Sequence, residues 1–281
     1  MTIKEIKNQI IKKKSFLCVG LDIDLDKIPV FFLKLEDPIY EFAKAIVDIT
    51  APYTVAYKPN LAFFEAYGPK GMNSLLKIMN YLNKNFPEIF TIADAKRGDI
   101  DNTSSRYAKA FFQIYNFDSI TVTPYMGKDS IEPFLSFENK FAILLTLTSN
   151  IGSNDFQIKS LSNDNKISKM VYEDVIETSK KWKGSDRLMY VIGATQSKSL
   201  KSIRKLLPKA FFLIPGIGFQ GGSLEEVASN SLNKEVGILV NSSRAIIYSF
   251  KNDYTFKNDV EDAAKEIQNK MHKILKNNNF L

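Results

Sequence analysis

The sequence predicts one closed (β/α)₈ TIM barrel spanning residues 1–281, and three observations carry that expectation. Eight short, nearly continuous apolar runs recur along the chain. Stretches with the apolar spacing of amphipathic helices lie between them. Polar and charged residues gather just after the runs, at one end of the expected strands. Strand alternating with helix eight times in under 300 residues points to a barrel, and continuous apolar strands are what a parallel sheet covered on both faces requires. A doubly wound open sheet is the alternative reading. No linker or second domain is evident.

The runs, in order, are 16–22 (FLCVGLD), 53–58 (YTVAYK), 90–96 (FTIADAK), 119–123 (SITVT), 141–148 (FAILLTLT), 188–193 (LMYVIG), 211–215 (FFLIP) and 237–241 (GILVN). Helical spacing marks 74–86, 104–115, 169–182 and 199–209. The polar stretch 153–168 is long for a connection and is expected to act as a mobile lid. The strand ends read Asp22; Lys58 and Asn60; Asp94 and Lys96; Thr123; Thr148 and Ser149; Thr195 and Gln196; the glycine-rich PGIGFQGG; and Asn241 to Arg244. Catalytic residues of such barrels sit at this end.

Composition narrows the chemistry. The chain is 44% hydrophobic and 25% charged, which is ordinary for a globular protein of this size. Its single cysteine, Cys18, lies in an apolar run and reads as a small buried hydrophobe, and one cysteine permits no internal disulfide. No run approaches the roughly 18 apolar residues of a membrane span. Lys12 to Lys14 precede an apolar segment as in a signal peptide, but Asp22 interrupts it and no small-residue cleavage site follows. A cytoplasmic location is expected. The net charge of +7 is spread over helices and loops rather than drawn into a basic stripe, so a small anionic substrate is expected and nucleic acid is not. The one histidine, His272, falls in a C-terminal helical segment and is expected on its exposed side. Mechanisms built on a histidine base or a Cys/His nucleophile are thereby disfavoured. No metal-ligand cluster and no lysine in a Schiff-base context is apparent, so no cofactor is expected.

Two features carry the expected chemistry. In Asp94-Ala95-Lys96-Arg97-Gly98-Asp99, strand alternation would place Asp94 and Lys96 on the same side, with Lys58 adding a second cation. Such a pair can simply close a strand. An alternating Lys–Asp–Lys–Asp array, however, exceeds what a barrel needs for stability. The second feature is IPGIGFQGG (214–222) after strand seven followed by NSSRAI (241–246) after strand eight. Loops at those positions commonly bind phosphate, with Gly216, Gly218, Gly221 and Gly222 admitting close backbone approach and Arg244 a bidentate contact.

The string DAKRGDI resembles the D-x-K-x-x-D signature of the orotidine-monophosphate decarboxylase superfamily. VGLD (19–22), YKPNLAFFEAYG (57–68), TSN (148–150), VIGAT (191–195), IPGIGFQGG and NSSRAI narrow the resemblance to the decarboxylase family, in its long-chain microbial and protozoan branch. It runs from about residue 15 to 250, in the expected order. The resemblance implies that Lys58, Asp94, Lys96 and Asp99 form a charged catalytic array. By the same token Asp22, Lys58 and Asn60 contact the ribose, Ser149 the pyrimidine amide, and Gln220 and Arg244 the phosphate, with Gly218 in the phosphate loop. It further implies a homodimer in which Asp99 and Thr103 reach the neighbouring subunit's site. Two other readings stand beside it. A sugar-phosphate lyase of the hexulose-phosphate synthase or keto-gulonate-phosphate decarboxylase type would want an acidic metal ligand where Lys58-Pro59-Asn60 stands, and a catalytically dead nucleotide sensor would have a broken array.

Overall fold

A computed structural model describes residues 1–161, 169–216 and 223–281. Its strands are β1 (Leu17–Leu21), β2 (Ala56–Pro59), β3 (Phe90–Arg97), β4 (Ser119–Val122), β5 (Phe141–Leu147), β6 (Leu188–Ile192), β7 (Phe212–Pro215) and β8 (Ile238–Ser242). All eight are parallel and close into a barrel in sequential order. Closure is made by β1, which pairs with β8 (Leu17↔Val240, Cys18↔Asn241) and with β2 (Cys18↔Ala56, Gly20↔Lys58). The fold is the (β/α)₈ barrel, and the open sheet is excluded.

Burial explains why the strands were readable. Every residue of β1, β6 and β8 is buried, because side chains alternate between the barrel interior and the layer of helices outside. Helices fill that outer layer with one apolar face each. In Gly68–Asn85, for instance, Leu75, Ile78, Met79 and Leu82 are buried at helical spacing. Among the described residues no helix is long and apolar enough to cross a membrane.

Several elements differ from expectation. The second strand begins at Ala56, because Ala51–Tyr53 forms a 3₁₀ turn around Pro52. The segment 104–115 is an α-helix over Asp101–Lys109 followed by a π-turn over Ala110–Ile114, where the consecutive Phe111 and Phe112 are both buried. The helix expected over 169–182 spans Val171–Ser179, and Lys169–Met170 instead pairs antiparallel with Ser160–Leu161. That hairpin occupies part of the expected lid, whose residues 162–168 lie outside the described ones.

An N-terminal helix, Ile3–Lys13, starts with a capping box between Thr2 and Glu5 and buries Ile6 and Ile10. It crosses the N-terminal end of the barrel. The Met1 ammonium pairs with Asp118 at 3.3 Å just before β4, and Lys13 donates to Ala51 O and Thr54 O just before β2. Cys18 is buried, and burial pushes its thiol up to about 12, which keeps it unreactive. His272 is half-buried rather than exposed. It lies on the terminal helix Phe256–Asn277, beside the buried Met271.

Candidate active site

The C-terminal ends of β1, β2, β3, β7 and β8 open onto one polar cavity lined by Asp22, Lys58, Asn60, Asp94, Gly216, Asn241 and Arg244, among others. Strand direction makes this convergence inevitable, since in a closed parallel sheet all C-terminal ends share one rim. Asn60 sits where β2 leaves the sheet, bridging to Asp94 on β3. Asp22 follows β1 directly, and the Tyr248 hydroxyl donates to its carbonyl at 2.8 Å while accepting from Asp24 N–H at 2.7 Å. That double contact pins the exit of β1.

The charged centre is a carboxylate held between two ammonium groups. Lys58 Nζ lies 2.7 Å from Asp94 Oδ2, and Lys96 Nζ lies 2.5 Å from Asp94 Oδ1. Lys58 is buried at 4% exposure, whereas the Lys96 side chain is 53% exposed in the mouth. Burial alone would lower the Lys58 pKa, but the Asp94 and Asp22 carboxylates outweigh it and raise the value above the ordinary lysine range. Burial likewise pushes Asp94 upward, and the two lysines overcome that and hold it far below the usual carboxylate range. Lys58 and Asp94 are therefore both ionised at neutral pH.

The route by which Lys96 reaches Asp94 departs from simple strand alternation. Register between β3 and β4 runs Ile92↔Ser119 and Ala93↔Ile120, then resumes at Arg97↔Val122, so three residues of β3 stand opposite Thr121 alone. Within that bulge Lys96 adopts a left-handed backbone, φ +48°. Asp94 and Lys96 do meet, through a bulge rather than a regular strand.

Three polar atoms at the mouth make no hydrogen bond among the described residues: the buried Asp22 Oδ1, Ser149 Oγ and Ser242 Oγ. An unsatisfied buried polar atom costs about 1–3 kcal/mol. A ligand able to donate to Asp22 and to bond Ser149 recovers that loss.

Residues 15–256 match the model of the orotidine 5′-phosphate decarboxylase / HUMPS family. The chain belongs to this family. It is 57% identical to the orotidine 5′-phosphate decarboxylase of Flavobacterium johnsoniae over 275 residues, 98% of each chain. Among solved structures it resembles Leishmania donovani OMP decarboxylase, at 33% identity and a TM-score of 0.81, covering 98% of this chain and 99% of that one. It also resembles Leishmania donovani UMP synthase, at 35% identity and a TM-score of 0.84; there it covers 98% of its own length but spans only 56% of the longer protein.

With the family in view, the expected residues sort by position. The structure brings Asp22, Lys58, Asn60, Asp94 and Arg244 to one cavity and joins Lys96 to Asp94. Asp99 is not joined to them: its Oδ1 accepts from Ile100 N–H at 2.7 Å, and its backbone is bonded to the Ser104 hydroxyl. Thr103 is exposed on the helix Asp101–Lys109. Ser149 follows β5 across the mouth. Gly216, φ +102°, and the helix start at Arg244 stand where phosphate was expected; Gly218, Gln220, Gly221 and Gly222 lie outside the described residues.

Other contributors escaped residue-level reading. At Gly20 a Cβ would lie 1.8 Å from Ser243 Oγ, and at Gly193 one would lie 2.1 Å from Ser149 Oγ. Both glycines let a strand end approach a site residue. A glycine inside an otherwise apolar strand was the available signal. Arg97 pairs with Glu65 and donates to Ala95 O at 2.9 Å, bracing the far side of the β3 bulge.

Proposed function

We propose that the protein decarboxylates orotidine 5′-phosphate to uridine 5′-phosphate and CO₂, the last step of UMP synthesis, without metal or organic cofactor. The observation that carries this reading is the buried Asp94 carboxylate clamped by Lys58 and Lys96 at the mouth of a barrel of this family. Loss of CO₂ from C6 leaves an electron pair in an sp² orbital outside the ring's π system. Fixed charge must therefore stabilise it. Lys96 stabilises the developing carbanion, gives its proton to C6 as the C–C bond breaks, and is reprotonated from solvent. Asp94 faces the departing carboxylate, and repulsion there is relieved as neutral CO₂ forms. One unit-charge contact at about 4 Å and an effective dielectric of about 20 is on the order of 4 kcal/mol, so several fixed charges decide the barrier.

Asp22, Lys58 and Asn60 take the ribose hydroxyls, Ser149 the pyrimidine amide, and Arg244 with Gln220 and the Gly218 loop the phosphate. The unsatisfied Asp22 Oδ1 and Ser149 Oγ support the first two assignments. For the third, Arg244→Ala is expected to raise KM for the nucleotide strongly and to weaken inhibition by uridine 5′-phosphate, while hardly changing activity on the phosphate-free nucleoside. A charge-assisted bidentate contact matters only when phosphate is present. Equal damage with both substrates would make Arg244 a structural residue.

The active unit is a homodimer whose sites are shared, with Asp99 and Thr103 serving the partner. Asp99 stands on the rim apart from the Lys58–Asp94–Lys96 set, and Ile100, Tyr125 and Met126 after β3 and β4 are exposed apolar side chains, both of which support that placement. Lys96→Ala and Asp99→Ala homodimers are each expected to be nearly inactive. Reassorting them yields about half mixed dimers, each with one intact site, so activity returns to about a quarter of wild type. Subunit exchange without recovered activity would place Asp99 in its own chain's site.

The rival sugar-phosphate lyase reading needs an acidic metal ligand at the end of the second strand, beside Asp94. Both oxygens of Asp94 are instead taken by ammonium groups, and the strand next to it ends in Lys58, Pro59 and Asn60. Product analysis separates the two. The proposal expects one CO₂ and one uridine 5′-phosphate per orotidine 5′-phosphate consumed; magnesium-dependent cleavage of a hexulose phosphate with no action on the nucleotide would overturn it. We place this activity in the whole of 1–281 as one catalytic unit, and in the cytoplasm, in keeping with a single buried cysteine.

A further inference from the structure

We propose that Thr121, on β4, is the positioning residue that shapes the Asp94–Lys96 segment for catalysis; its kinetic consequence rests on the decarboxylase reading, its structural consequence does not. Thr121 is buried, at 2% exposure, directly opposite the three bulged residues of β3. Those residues have left the ladder, so their backbone donors need other acceptors. Thr121 Oγ1 supplies one: it accepts from Ala95 N–H at 3.0 Å and from Lys96 N–H at 2.9 Å.

A hydroxyl has two lone pairs and one proton. With both lone pairs engaged by amides, the proton is left to donate, and the nearest acceptor is Asp94 Oδ1 at 3.2 Å, with Ala93 O at 3.5 Å. Asp94 Oδ1 is also the oxygen that receives Lys96 Nζ. One side chain thus holds the bulge, the left-handed backbone of Lys96 and the orientation of the carboxylate between the lysines. A non-glycine residue at φ +48° persists only where its surroundings over-determine it, and here the Thr121 hydroxyl is the buried group doing so.

Thr121→Val keeps the shape and deletes the hydroxyl; Thr121→Ser keeps the hydroxyl. The valine variant is expected to lose about a hundredfold in kcat with KM for orotidine 5′-phosphate within a few-fold of wild type, because the phosphate contacts lie across the mouth on β7 and β8. The serine variant should stay within a few-fold of wild type in both constants. Independently of any substrate, amide exchange at Ala95 and Lys96 should quicken about tenfold or more in the valine variant and not in the serine one, while amides of β1 and β8 keep their rates. If the valine variant does not fold, Thr121→Cys takes its place, with a thiol too weak an acceptor to hold both amides. Unchanged exchange and unchanged kcat in the hydroxyl-free variant, or a serine variant as damaged as the valine one, would overturn the assignment. Altered exchange in a protein inactive on orotidine 5′-phosphate even as wild type would leave the positioning role standing and overturn the proposed reaction instead.

Discussion

Lys96→Ala is expected to lower kcat by more than about a hundredfold while nucleotide binding stays largely intact. The reason is where Lys96 acts. Its side chain is 53% exposed in the mouth, so truncation removes little packing and the barrel should fold as before. Its contact with Asp94 at 2.5 Å holds the ammonium at the cavity mouth, where the proposed mechanism has the carboxylate leave and the carbanion form. An interaction made mainly in the transition state shows in kcat rather than in affinity. General acid catalysis typically contributes about 10²–10⁴-fold, and here charge stabilisation adds to it. Steady-state kinetics with a binding titration of uridine 5′-phosphate checks this. Retention of more than about a hundredth of the wild-type rate removes Lys96 from the proton-donor role.

Asp94→Asn should be the most destabilising single substitution in the site, by about 3–5 kcal/mol near neutral pH, because it strips a buried ammonium of its main counter-charge. The pH dependence carries a sign. In the wild type the Lys58 pKa is raised, so its contribution is fully present below the unfolded lysine value and is lost as pH rises through the folded one. The Asp94 pKa is depressed, so its contribution is present above the unfolded carboxylate value and is lost as pH falls through the folded one. Between about pH 5 and 9 the wild-type pairing is therefore insensitive to pH. In the variant, burial becomes the dominant influence on Lys58 and lowers its pKa, which makes the variant more stable as pH rises. Urea unfolding at pH 6 and pH 10 should show the gap to wild type narrowing at the higher pH. A constant gap, or one below about 1 kcal/mol, would mean that Asp94 does not hold the Lys58 charge.

The barrel was legible because its strands are buried on both faces and so read as apolar runs ending in polar residues. The rim followed from the same logic, and Asp22, Lys58, Asn60, Asp94 and Arg244 do share one cavity. What stayed hidden depends on neighbours distant in sequence. Strand alternation set Asp94 and Lys96 on one side; it could not show that β3 bulges against β4, since the bulge is held by Thr121, 25 residues on from Lys96. Lys169–Met170 has helical spacing, yet pairing with Ser160–Leu161 draws it into a hairpin. The half-burial of His272, next to the buried Met271, likewise depends on how the terminal helix packs.

The proposed reaction asks a preformed array of lysine and aspartate side chains to decarboxylate orotidine 5′-phosphate unaided. Its most direct test is turnover by protein stripped and assayed in excess chelator, followed by the fall in near-ultraviolet absorbance as the 6-carboxylate is lost. Full activity under chelator, with Lys96→Ala prepared identically remaining silent, is the predicted result. No turnover, or turnover that returns only when a divalent cation is restored, would rule out decarboxylation by these side chains alone.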